Sequence, residues 1–239
     1  MLLGVLFDLD GTLLDIDIDG FLGDYFGALG PVVADVIGSG ADPATGLRAV
    51  VEGTSAMIEP HPGQTNRDAF NERFKQLTGV DLDLEEYALP FERFYAEVFP
   101  TLRSAIGPRA GAREAVQTAL DLGLRVAIAT NPIFPSSAIH ERMRWAGVDD
   151  LEVHLVTTYE CMHATKPLPA YFEETAQLID TPVHGCLMVG DDRVLDMGAA
   201  DIGMKTFYVG PAPLPPSDYA GDLRDLAALL PRLAGSVGV

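Results

Sequence analysis

The sequence predicts an α/β fold, a doubly wound parallel sheet interrupted by an inserted helical domain, and three observations predict it. Short apolar runs recur along the chain and end in polar or acidic residues. Helical patterns of about 10 to 13 residues separate them, which implies right-handed crossovers between parallel strands. One long stretch, residues 16–104, carries apolar residues at helical spacing with almost no strand-like run.

The first apolar run, residues 2–7 before Asp8, lacks the basic start and cleavage site of a leader and reads as a buried strand. Next comes the helical stretch, with Phe70, Phe74 and Leu77, then Phe91, Phe94, Tyr95 and Val98, on helix faces. Breaks at 38–42, 59–63 and 79–83 divide it into four or five helices. Residues 112–122 then form a helix that stops at Gly123. A second strand, 125–129, ends before Thr130, and a third, 186–189, ends before Gly190 and Asp191. Helices over 136–145 and 167–178 lie between them, with a weaker strand at 154–157. A strand at 206–209, a proline-stiffened loop through Pro211, Pro213, Pro215 and Pro216, and a helix over 223–230 complete the chain. The expected organisation is a Rossmann-like core of residues 1–15 and 105–239 and a helical domain of residues 16–104.

The 239 residues and 48% hydrophobic content suffice for a real core. Sixteen basic residues against 35 acidic ones give a formal charge of −19, which argues against nucleic-acid and anionic-membrane partners. No stretch is read as approaching the roughly 18 to 20 apolar residues of a membrane span. Cys161 and Cys186 make no disulfide framework and suggest a reducing compartment, so a soluble cytoplasmic protein is expected. Oligomeric state is not legible.

In open α/β sheets ligands bind beyond the carboxyl ends of the strands. Asp8 and Asp10 follow the first strand, Thr130 and Asn131 the second, and Asp191 and Asp192 a later one. Carboxylates gathered there call for a hard cation, and magnesium is the natural candidate.

The run LFDLDGTLLD at 6–15, ATN at 129–131, Lys166-Pro167 and VGDDRVLD at 189–196 resemble, in order, the four motifs of the haloacid dehalogenase superfamily. The helical stretch after the first motif resembles that superfamily's first cap type. The resemblance implies a Mg2+-dependent phosphatase acting on a small phosphorylated molecule. Asp8 is then the nucleophile that forms an aspartyl-phosphate. Asp10 is the general acid and base, its backbone carbonyl facing the metal. Thr130 and Asn131 clamp phosphate oxygens, and Lys166 neutralises phosphate and nucleophile. Asp191 is a metal ligand, with Asp8 and Asp10 completing the set; Asp196 holds a metal-bound water or orients Lys166. Asp192 either binds metal or caps the following helix.

Plainer readings stand beside these. Asp8 fits a helix N-cap, and Lys166 fits a solvated lysine before a helix. His163 fits a solvated loop, and His61 and His140 have no ligand-like neighbours. Asp15, Asp17 and Asp19 fit a solvated linker, and the aromatic run of residues 91–99 fits the insert's own core. Phosphomutase and haloacid dehalogenase chemistry, and a non-catalytic phosphate- or metal-binding scaffold, are the alternatives. Asp10 and Asp191 argue against a dehalogenase. Phosphonate cleavage needs a cap lysine, and Lys75 alone is available.

Overall fold

The computed structural model describes residues 1–38, 43–103 and 105–235. Its main sheet has six parallel strands in the order β5-β4-β1-β6-β7-β8. These are β1 Gly4–Phe7, β4 Arg125–Ile128, β5 Leu155–Val156, β6 Cys186–Gly190, β7 Lys205–Tyr208 and β8 Tyr219–Ala220. Along β1, Val5 and Phe7 join one apolar cluster and Leu6 the other, and β4 and β6 alternate in the same way. Both faces are therefore covered, which is why these strands read as continuous apolar runs.

Helices α5 Ala112–Asp121, α6 Ser136–Trp145 and α8 Leu223–Leu233 pack into the first cluster, and α7 Pro169–Leu178 packs into the second. A 3-10 turn, Met197–Ile202, leads into β7. β8, only two residues long, was not expected, because so short a run carries no periodicity.

Register places the strand ends together. Phe7 lies opposite Ile128 of β4 and Val189 of β6. Asp8, directly after Phe7, and Thr130 and Asp191, two residues beyond Ile128 and Val189, thus leave the same, carboxyl end of the sheet.

Between β1 and α5 lie α1 Ile18–Ile37, α2 Pro43–Ile58, α3 Asn66–Thr78 and α4 Glu85–Arg93, followed by a π-helical turn, Phe94–Val98, and a 3-10 turn, Phe99–Leu102. The breaks expected at 59–63 and 79–83 separate these helices. In the break at 38–42, Gly38 caps α1 and residues 39–42 lie outside the described residues. α3 begins with a reciprocal Thr65–Asp68 capping box and ends on Gly79 in the left-handed conformation. Two short residue pairs, β2 Leu14–Asp15 and β3 Gly107–Pro108, join antiparallel where the chain leaves and re-enters the core.

One expectation is corrected. Helix α1, 20 residues with a mean hydropathy of 1.2, is long and apolar enough to cross a membrane by length and composition. Its Phe21, Tyr25, Leu29, Val33 and Val36 are nevertheless buried, forming one stripe of the interior. Phe21 packs edge-on to both Phe99 and Trp145, and Phe99 stacks on Trp145 with ring centroids 5.5 Å apart. The aromatic core thereby joins the helical insert to α6.

The start of α3 is tied to the core loops as well. Buried Asn66 donates from Nδ2 to the carbonyls of Pro132 and Ala164, at 2.9 and 3.2 Å, and its backbone N–H donates to Met162. His61 Nε2 lies 2.8 Å from Asn66 Oδ1, completing that amide's bonding.

Candidate active site

The chain turns back immediately after β1: the Leu9 carbonyl accepts the N–H groups of Thr12, Leu13 and Leu14. Gly11, at φ 79°, makes this possible, and a Cβ there would sit 2.4 Å from an Asp191 carboxylate oxygen. Gly190 serves the same purpose for Asp196, since a Cβ there would lie 2.2 Å from Asp196 Oδ2. The two glycines let two carboxylates of the loop after β6 come close to the β1 and β6 ends.

Asp8, Asp191 and Asp196 each offer a carboxylate oxygen within 4.8 Å of the others, the one such group of three among the described residues. Lys166 Nζ donates to Asp8 Oδ1 at 2.8 Å and to Asp196 Oδ1 at 2.6 Å. Only 2% of Lys166 is exposed, so it is not a solvated lysine. Burial opposes its charge, but Asp196 and Asp8 outweigh that effect and hold its pKa above the ordinary value. The Asp8 side chain meets this ammonium rather than capping a helix.

Thr130 is buried, and its carbonyl accepts from Thr157 Oγ1 at 2.7 Å and from the Tyr171 hydroxyl at 2.9 Å. Asn131 Oδ1 accepts the Lys166 N–H at 3.1 Å, holding the lysine's loop against the end of β4. Thr12 Oγ1 donates to Asp191 Oδ1 at 3.2 Å. Asp192 is exposed, and its Oδ1 accepts the N–H groups of Val194 and Leu195, each at 2.7 Å. It therefore caps the turn, while Asp196 lies in the carboxylate group.

Asp10, expected to face the metal through its backbone carbonyl, has its side chain outside this group. Its carboxylate is drawn into an ion pair with Arg142 of α6 and is not one of the three clustered side chains. Arg142 is 1% exposed, and its guanidinium lies 4.5 Å from the Phe134 ring centroid. Burial raises the Asp10 pKa, Arg142 opposes the rise, and the Asp8 charge adds to it. The sequence does not single out Arg142, because residues 136–145 read only as a helix. The neighbouring Trp145 is the signal: its Nε1 donates to buried Glu141 at 2.7 Å, and Arg142 lies buried beside them while Arg144 stays exposed.

The other candidates lie elsewhere. Asp17 is the N-cap of α1, accepting from Gly20 N at 3.4 Å. His163 pairs with Glu174 and His140 with Asp149. Both cysteines are free thiols, Cys161 exposed and Cys186 buried.

Three oxygen donors facing one ammonium fit a hard divalent cation such as Mg2+. Burial also sets how readily these carboxylates hold protons. Burial, then the charge of Asp8, raises the Asp191 pKa from 3.8 to about 6, and the same two causes raise Asp196 against the pull of Lys166. A raised folded-state pKa means that the stability from these groups is complete below the unfolded value and is lost as pH climbs through the folded one. The ion competes with those protons. Adding magnesium is therefore expected to raise the melting temperature little near about pH 5 and clearly near about pH 8. Equal shifts at both would exclude this carboxylate group as the ion's site.

The family model for haloacid dehalogenase-like hydrolases matches residues 3–201. The chain is 30% identical over 132 residues to haloacid dehalogenase-like hydrolase domain-containing protein 3 of Xenopus laevis, a match spanning 52% of this chain and 52% of the relative. The chain thus aligns with about half the length of that relative. Its fold is similar to a phosphatase from Thermococcus onnurineus, with a TM-score of 0.57, 20% identity, and 96% of this chain and 98% of that one covered. It is also similar to a putative beta-phosphoglucomutase from Thermotoga maritima, with a TM-score of 0.54, 15% identity, and 97% and 99% covered. At such identities the likeness is one of fold, shared by a phosphatase and a putative mutase.

Proposed function

The chain belongs to the haloacid dehalogenase-like hydrolases, and from that premise we propose that it is a magnesium-dependent phosphomonoesterase working through an aspartyl-phosphate on Asp8. One observation carries the reading: a buried lysine bridges the nucleophile position and Asp196 inside a group of three carboxylates, with a further aspartate, Asp10, two residues along. Cleavage of a carbon–halogen bond by an aspartate needs neither the metal ligands nor the second aspartate.

In this reading Asp8 attacks phosphorus, and the leaving oxygen departs with a proton from Asp10. Asp10 then takes a proton from the water that attacks the phosphoryl-aspartate. Lys166 offsets the charge gathered on Asp8 and the phosphoryl oxygens, and Thr130 and Asn131 position those oxygens. Asp8, Asp191 and Asp196 would hold Mg2+, with the backbone carbonyl of Asp10 beside them. When bound, the ion supplies charge neutralisation at the phosphoryl group. The helical insert is the cap over this site. The substrate is a small phosphorylated molecule, nucleic acid and membrane are not partners, and the free thiols fit a reducing cytoplasm.

The test is a panel of phosphate esters assayed with magnesium, after chelation, and after magnesium is restored. At least one ester is expected to turn over, to lose about 10²-fold or more in rate on chelation, and to recover. Undiminished activity under chelation would favour the metal-free dehalogenase reading, and no turnover of any ester would favour a scaffold.

A further inference from the structure

Resting on the phosphatase reading above, we infer that the alcohol released from the phosphate is an apolar one, a ring or an alkyl chain, lodged in a cavity between the helical insert and the loop after β4. The cavity measures about 430 Å³, within the size range of small-molecule sites. Its walls come from two sources. The insert contributes Leu22, Phe26, Leu29, Phe70, Leu82 and Phe91, and the core contributes Ile133, Phe134 and Pro135.

The polar groups on those walls are mostly engaged already. The hydroxyls of Tyr25 and Tyr95 lie 2.8 Å apart and bond to each other. Arg67 and Asn71 both donate to Asp83, at 2.7 and 2.9 Å. Thr54 donates to the Val50 carbonyl, and Glu160 accepts the Ser136 N–H. Glu92, Ser137, Tyr159 and the remaining N–H groups of Arg67 are the polar partners left on the walls, so a polyhydroxylated leaving group would surrender more hydration than they replace. An apolar one meets aromatic and aliphatic walls and gains from leaving water.

Position connects the cavity to the chemistry. Phe134, on its core wall, carries the Arg142 guanidinium on its ring, and Arg142 pairs with Asp10. The residue proposed to protonate the leaving oxygen is thus joined to the cavity wall through two side chains, Arg142 and then Phe134, which sets the cavity beside the reacting group. The aromatic run of residues 91–99 consequently divides its work: Phe94 and Phe99 are buried core, whereas Phe91 and Tyr95 line the cavity.

The experiment measures kcat/KM for methyl, butyl, hexyl and phenyl phosphate against glucose 6-phosphate, with magnesium. The expected result is a rise of roughly threefold to fourfold per added methylene until the cavity fills, with the sugar ester poorest. Ala88→Phe on the insert wall and Ser137→Phe on the core wall narrow the cavity. In either variant that melts like the parent, the hexyl-to-methyl ratio is expected to fall at least about tenfold. Flat dependence on chain length, or preference for glucose 6-phosphate, overturns the inference and leaves the phosphatase reading intact. Calorimetric titration with hexylphosphonate and methylphosphonate reads the cavity apart from turnover. Tighter hexyl binding without hydrolysis of any ester would overturn the phosphatase reading and keep the apolar occupant, whereas equal binding would overturn the occupant.

Discussion

Asp8→Asn is expected to lower kcat by about four orders of magnitude or more while the protein stays folded, because the change removes the proposed nucleophile and conserves the shape of its side chain. Asp8 sits at the end of the central strand, buried, with one oxygen on Lys166 Nζ, and an amide oxygen can keep that bond. The electrostatics make the stability forecast sharper than simple tolerance. The Asp8 charge is a cause of the raised pKa at both Asp191 and Asp196. Neutralising it lowers both toward the ordinary carboxylate value and relieves repulsion in the metal-free protein. Without magnesium, near about pH 8, the variant is therefore expected to melt no lower than the parent, and its gain from added magnesium is expected to shrink. Thermal melting with and without the ion, beside an assay on the best ester, checks all three statements. Retained full activity removes Asp8 from the nucleophile's role; a collapsed melting temperature shows instead that its charge is structural.

The core of the fold and most of the candidate site were legible because strand-end chemistry leaves a local signature. A run buried on both faces announces itself by continuous apolarity, and the first polar residue beyond it must lie at the sheet's edge, as Asp8, Thr130 and Asp191 do. What escaped depends on packing between distant segments. Arg142 lies in an outwardly polar helix, and only the tertiary structure shows its guanidinium turned in upon Phe134 and Asp10. The Asp10 carboxylate turns to Arg142 for that reason, and Asp196, brought close by the absence of a side chain at Gly190, completes the group of three carboxylates. The cavity is likewise invisible in sequence, since its walls come from several helices of the insert and two loops of the core. Helix α1 shows the opposite limit: hydropathy cannot distinguish a stripe buried in protein from one facing lipid.

Lys166→Met tests whether the ammonium holds the carboxylate group together. A methionine nearly matches the volume of the lysine stem but leaves Asp8 and Asp196, which Nζ contacts at 2.8 and 2.6 Å, without their cation. Removing one member of a buried ion pair commonly destabilises by about 3–5 kcal/mol, mainly because the surviving charge stays desolvated. The loss has a defined pH direction. Asp196 already has a raised pKa, and removing Lys166, which lowers it, raises it further. The folded variant then holds protons that the unfolded chain has released, so its stability is greatest at low pH and declines as pH rises through the folded value. In chelator the variant is expected to melt well below the parent near about pH 8 and close to it near about pH 5. Magnesium should restore much of the difference, since the ion takes over part of the neutralisation, but not the activity, expected to fall about 10³-fold for want of a donor to the phosphoryl oxygens. Adding Asp196→Asn to Lys166→Met removes one stranded carboxylate and should recover stability without recovering turnover, a separation that a merely structural lysine would not produce. Melting temperatures that ignore both pH and magnesium, or activity within about tenfold of the parent, would show that the carboxylates are balanced by something other than Lys166.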